Sequence, residues 1–237
     1  MRICVAYTVV SQGPISDQFA SRFVATFHEH PPGVECDLLV ICNGGPLRTD
    51  LSLIFAPLRA QMFPRVNDEG KDITGYMDAA RGPCKDYDAM LCLGESIYFT
   101  RAGWLRRLVE AWNKIGPGFY GPFGNNNVRP HLQTTAFFCP PVLLSRYPTR
   151  PNNRPSRMEF EHGEKSMWRW VAGHGMPVRC VTWDGEWESR MWRMPQNILW
   201  RGDQSNLLMM NNHAQGWENA PPETKQVWSR NADSPFR

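Results

Sequence analysis

The sequence predicts an α/β protein built on a mixed, mostly parallel sheet flanked by helices, and three observations carry the prediction. Short apolar runs without polar alternation, RICVAYTVV at 2–10, CDLLVIC at 36–42 and DAMLCL at 88–93, have the pattern of strands covered on both faces. Segments of helical period lie between and after them. Each run also stops at turn residues, which leaves short connections of the kind that βαβ units use.

Taken in order, residues 2–10 form the first strand, and 17–28 repeat Phe19, Phe23 and Phe27 at helical spacing before Pro31-Pro32-Gly33 ends the helix. The second strand, 36–42, runs into Asn43-Gly44-Gly45, residues that tolerate positive φ and close backbone approach. Residues 51–62 have helical character, against which Pro57 stands. A helix beginning near Asp72 precedes the strand 88–93, and Gly94-Glu95-Ser96 follows that strand directly, so Glu95 is expected to face a ligand crevice at the strand end. Residues 101–114 place Leu105, Leu108, Val109 and Trp112 on one stripe, closed by Gly116 and Pro117, an amphipathic helix covering the sheet. After Gly118, strands at 134–139 and 178–183 alternate with loops rich in Pro, Asn and Trp. Helices are expected at 164–174, carrying Met167, Trp168 and Val171, and at 204–212. The tail 220–237 is polar enough to fray.

The 237 residues and 42% hydrophobic content suffice for one domain spanning 1–237. The net charge is +3, but SRYPTRPNNRPSR holds Arg146, Arg150, Arg154 and Arg157 without an acid, the composition of an exposed basic loop suited to phosphates, a lipid surface or a nucleic acid. Seven dispersed cysteines without a CxxC pair indicate free thiols and argue against a structural zinc site. The N-terminus opens as a strand rather than a signal peptide, and no apolar run is long enough for a transmembrane segment, so a cytoplasmic protein is expected. Ten tryptophans are many for this length. Trp187 and Trp192 lie in the charged stretch WDGEWESRMWR, where burial is less expected, and are therefore candidates for acceptor contacts.

Several stretches, in this order, resemble the GT-A type glycosyltransferases that use nucleotide-sugar donors. RICVAYTVV and CDLLVICNGG look like the two nucleotide-binding strands of that family, and NDEGKDITGY is similar to the segment before its central strand. LCLGES sits where the family carries Asp-x-Asp, and HGEKSMWRWVAGHG resembles its acidic motif, with Gly163 where the family has a further acid. The resemblance covers most of 1–215 and implies a GT-A-like, Rossmann-type sheet. Residues 1–115 would be the nucleotide-sugar-binding half and 116–237 the acceptor-binding half with a C-terminal tail.

Glycosyl transfer must stabilise a departing nucleoside diphosphate and deprotonate an acceptor hydroxyl. By the resemblance, Thr8, Asn43, Asp72, Glu95, His131 and Thr134 bind the nucleotide sugar, a UDP-sugar being favoured. Glu95, the one survivor of the Asp-x-Asp pair, would hold a divalent cation (Mn or Mg) together with His213. Arg201 or a member of the arginine segment would otherwise take the leaving charge. Glu164 is implied as general base of an inverting reaction, with Glu161 as its competitor; at i and i+3 on one helix, like-charge proximity would raise one of the two pKa values. Arg150, Arg154, Trp187 and Trp192 would meet the acceptor, either a glycan or lipid-linked saccharide or a hydroxymethylated base in DNA. Blander readings stand beside these: Asp72 as a helix cap, Glu164 as an exposed first-turn acid, His131 as a structural histidine. The alternatives at the level of function are a nucleotide- or sugar-binding module without catalysis and a basic nucleic-acid-binding protein.

Overall fold

The computed structural model describes residues 1–11, 13–67, 69–126, 129–192 and 200–233. Its sheet grows from β1 (Ile3–Val10), whose side chains alternate between two apolar clusters: Val5, Tyr7 and Val9 join one, Cys4 and Ala6 the other. With both faces covered the strand needs no polar alternation, which explains the unbroken apolar run. β1 pairs in parallel with β2 (Asp37–Asn43), and β2 with β3 (Gln61–Arg65); on its other side β1 pairs in parallel with β4 (Ala89–Leu93). Beyond β4 the sheet continues through β5 (Phe119–Gly121), β8 (Ala136–Cys139), β9 (Val178–Val181) and β10 (Glu186–Trp187), while β6 (Gly124–Asn125) and β7 (His131–Leu132) pair separately. The eight-stranded order is β10-β9-β5-β8-β4-β1-β2-β3, with β8 and β10 antiparallel to the rest. Strand order therefore reverses between β1 and β4, and a crevice opens beyond their carboxyl ends, where α/β sheets bind ligands.

Helices cover both faces. On the first, α1 (Pro14–Glu29) stacks Phe23 on Tyr7 with ring centroids 4.0 Å apart, and the short α2 (Thr49–Phe55) adds Phe55. On the second, α3 (Lys71–Arg81) buries Ile73, Tyr76, Met77 and Ala80. Its start is fixed by Gly70 at φ 70°, where an added Cβ would lie 2.1 Å from the Pro151 carbonyl oxygen. α4 (Trp104–Ile115) buries Trp104, Leu105, Leu108 and Trp112 on the first face, and α5 (Pro141–Arg146) buries Leu143 and Leu144 on the second. No described helix is long and apolar enough to cross a membrane.

Five expected elements differ. Residues 51–62 are not one helix: α2 gives way to a 3-10 turn, Ala56–Leu58, and Met62 belongs to β3, because Pro57 cannot continue the α-helical ladder. The arginine-rich segment is only partly loop, since Asn153 opens α6 (Arg154–His162) through a capping box. The Asn153 side chain accepts from Ser156 N–H at 2.9 Å, and Ser156 Oγ accepts from Asn153 N–H at 3.1 Å. The helix expected at 164–174 is shorter, α7 (Met167–Gly173), so Glu161 and Glu164 do not share a helix face; Gly163 ends α6 between them. Residues 204–209 are irregular, Met210 bridges Tyr98, Asn211 caps α8 (Asn212–Asn219), and the tail holds a further helix, α9 (Pro222–Asp233).

Candidate functional site

Two clefts meet at the carboxyl edge of the sheet. The first, about 330 Å³, is lined by Thr8, Val9 and Val10 at the end of β1, Asn43 at the end of β2, Lys71 and Asp72 in the first turn of α3, Glu95 just beyond β4, and Arg157 of α6. Thr8 is buried, and its hydroxyl donates to the Leu93 carbonyl at 3.2 Å. The Asn43 side-chain oxygen accepts from Arg65, which also pairs with Asp78 at 2.8 Å. Glu95 is anchored rather than loose: its Oε2 accepts from Val10 N–H at 3.4 Å and from the Ser16 hydroxyl at 3.1 Å. Arg157, half-buried, makes no side-chain hydrogen bond or ion pair among the described residues, so its guanidinium is available to an anion.

The second cleft, about 430 Å³, is lined by Asp72, Ile73, Thr134, Thr135, Arg154, Arg157, Met158, Glu161, His162 and His213. Because Asp72 and Arg157 line both, the clefts are contiguous. Burial pushes the Asp72 carboxyl up to about 6, and the nearby Glu161 charge adds to the rise. Glu161 is also buried enough to be pushed up, yet His131, Thr134 and the Thr134 amide outweigh burial and hold it down to about 2. Its Oε1 faces His131 Nε2 at 3.4 Å, and its Oε2 accepts from both the Thr134 hydroxyl and, at 3.2 Å, the Thr134 N–H. The other nitrogen of the buried His131 donates to the Arg129 carbonyl at 2.7 Å. Burial lowers His162 and His213, keeping them neutral near pH 7.

No protein-family model and no curated protein matches the chain. Among solved structures it is similar to the mannosyltransferase PcManGT of Pyrobaculum calidifontis, whose crystals hold GDP-Man and Mn2+. The match has TM-score 0.55 and 11% identity, over 98% of this chain and 69% of that one. The fold is of the GT-A type. Weaker likenesses are to S. aureus TarS 1–349, at TM-score 0.46 and 10% identity over 61% of this chain and 48% of that one, and to a Desulfovibrio desulfuricans protein described as a nucleotide-diphospho-sugar transferase, at 0.44 and 14% over 75% and 79%. The chain thus spans about half of TarS 1–349, and the fold assignment rests on the mannosyltransferase alone.

On this GT-A frame, Thr8, Asn43, Asp72 and Glu95 come together in the first cleft, and Thr134, Glu161, Arg154 and His213 in the second. His131 lies behind the second cleft as a support for Glu161. Five predicted residues stand elsewhere. Glu164 is 69% exposed, paired with Arg129 and Arg169, and lines neither cleft. Arg150 is bound through both guanidinium nitrogens to Asp78, at 2.7 and 2.9 Å, which ties α3 to the segment before α6. Trp192 is fully buried against Trp168 with its Nε1–H donating to the Trp187 carbonyl, so it presents no surface to an acceptor. Trp187 is half-buried and donates to Thr182. Arg201 also lines neither cleft.

Glu95 and His213, expected to share a cation, line different clefts, the first and the second. Among the described residues no three His, Cys, Asp or Glu side chains converge to hold a metal. Lys71 was not singled out from the sequence, and Arg157 only as one of the four arginines of the basic segment, although the cap pattern Asn153-x-x-Ser156 was there to signal a helix that presents Arg154 and Arg157 one turn apart.

Proposed function

We propose that this protein is a glycosyltransferase that moves a sugar from a nucleotide-sugar donor, a UDP-sugar being favoured, onto an acceptor hydroxyl, with inversion at the sugar carbon. The observation that carries this reading is the first cleft: in a GT-A type fold, it sets Lys71 and Arg157 beside the strand-end residues Thr8, Asn43 and Glu95. Cations there suit a departing diphosphate, whose negative charge grows as the sugar leaves. The second cleft receives the acceptor. It is not a separate half, since Asp72 and Ile73 come from the first 115 residues and Arg157, which lines the donor cleft, comes from the last 122.

A divalent cation, if bound, would be held by Glu95 and would supply countercharge to the donor phosphates, and the arginine and lysine can act without it. The acceptor is a glycan or lipid-linked saccharide, or a hydroxymethylated base in DNA. Acceptor binding that weakens steeply with salt selects the DNA, through release of counterions.

The test is a thermal-shift series with UDP- and GDP-sugars and their diphosphates, with and without Mn2+. Selective stabilisation by one nucleotide supports the reading and names the donor class; no shift with any of them removes it. A second reading, a nucleotide-sugar-binding module without turnover, is favoured by Glu164 lying outside both clefts, and donor hydrolysis by the protein would exclude it.

A further inference from the structure

Inverting transfer needs a group that takes the acceptor's proton while touching the space where both reactants meet. Three carboxylates line the clefts, and what their oxygens already hold separates them. Glu95 lines only the first cleft, and its Oε2 receives Val10 N–H and the Ser16 hydroxyl. Glu161 lines only the second, and both its oxygens are engaged by His131 and Thr134. Asp72 alone lines both. Ile73 N–H donates to its Oδ1 at 3.0 Å, while Oδ2 receives no hydrogen bond among the described residues. That free oxygen points toward the end of β4, 3.9 Å from where a Cβ on Gly94 would stand; the missing side chain leaves room above it.

We propose that Asp72 is the catalytic base, its Oδ2 accepting the proton of an acceptor hydroxyl held in the second cleft as that oxygen attacks the sugar of a donor held in the first. This rests on the glycosyl-transfer reading above and replaces the nucleotide-sugar contact that the family resemblance implied for Asp72. In the step, the acceptor oxygen forms a bond to the anomeric carbon and its proton passes to Asp72. The bond from that carbon to the phosphate oxygen breaks, its electron pair leaving with the nucleoside diphosphate toward Arg157 and Lys71. The proton then returns to solvent through the second cleft. A carboxyl held near 6 is well matched to this work at neutral pH, being ionised beforehand yet far more basic than Glu161.

The test uses the whole chain with UDP-glucose, UDP-N-acetylglucosamine and GDP-mannose, with water as the acceptor. Nucleoside diphosphate release gives turnover, calorimetry gives donor affinity, and a thermal melt confirms folding. Asp72→Asn is expected to keep donor Kd within about threefold while turnover falls about 100-fold or more. Glu164→Gln is expected to turn over like the unmodified protein. The assignment is overturned if Asp72→Asn turns over within threefold of the unmodified protein, if it loses donor binding together with turnover, or if Glu164→Gln is the variant that fails. If the unmodified protein neither binds nor hydrolyses any donor, the transfer reading itself falls and takes this assignment with it.

Discussion

Replacing Asp72 with asparagine should make the protein more stable at neutral pH, and the effect can be worked from the site. The carboxyl ordinarily ionises at 3.8 and is held at about 6 in the folded protein, chiefly by burial. Each tenfold change in an ionisation constant is worth about 1.4 kcal/mol, so keeping Asp72 charged in the folded state costs about 3 kcal/mol. Asparagine removes that cost but also gives up the attraction between a carboxylate and the N-terminus of α3, about 0.3–1 kcal/mol, and still buries an amide. The net gain expected is about 1–2 kcal/mol, or about 3–6 °C in Tm for a chain of this size. The pH dependence follows from the direction of the shift. Below 3.8 the carboxyl is protonated in both folded and unfolded chains and costs nothing; between 3.8 and 6 stability is progressively lost; above 6 the loss is complete. Urea denaturation of both proteins at pH 8, 6 and 4 should therefore show a gap that is full at pH 8 and nearly closed at pH 4. A variant no more stable than its parent at pH 8, or a gap that does not shrink on acidification, would refute the idea that the charge is held at a cost.

Glu161→Gln should behave in the opposite sense. Its carboxylate is held down to about 2 from an ordinary 4.5 while only 27% exposed, so it stabilises the fold above pH 4.5, by about 2–3 kcal/mol at pH 7, and this is lost as pH falls toward 2. Urea melts at pH 7 and pH 3 check both the size and the sign. Arg157→Ala should leave stability within about 0.5 kcal/mol of the parent but weaken nucleoside diphosphate binding about 10- to 100-fold by calorimetry, the worth of one charge-assisted contact. Trp192→Ala should cost about 3–5 kcal/mol by denaturant melt because the ring is fully buried, and a near-neutral result would return it to the surface as an acceptor contact.

The strands at 2–10, 36–42 and 88–93 were legible because a strand covered on both faces writes its burial directly into an apolar run. β3 was not, because QMFPR is a half-exposed edge strand that carries a proline and no apolar run. The donor-side Glu95 followed from the same strands, since it sits two residues past Leu93, the last residue of β4. The second cleft was harder. Glu164 and Glu161 are near neighbours in sequence, yet a helix terminus at Gly163 sends them to different places, one into the cleft wall and one to solvent. Trp192 was misread because charged neighbours at 184–193 suggested exposure, whereas its burial comes from Trp168 on α7, a contact no local window contains. Arg157 lines one cleft with Lys71 and Asp72 of α3, which is likewise a long-range fact.

The capping box at Asn153 also sets the rotational phase of a charge. A residue added or lost at a helix start turns everything after it by about 100° around the axis, and α6 carries Arg154 and Arg157 toward the clefts while Phe160 faces the core. If the first turn of α6 began one residue later, packing of Phe160 could be kept only by swinging Arg157 out of the donor cleft, or the reverse. Two polar side chains that line neither cleft, those of Asn153 and Ser156, therefore act as the index mark that keeps a phosphate-facing cation and a buried aromatic ring in register. Drift in that mark would erase donor recognition without altering a single residue that lines the cleft.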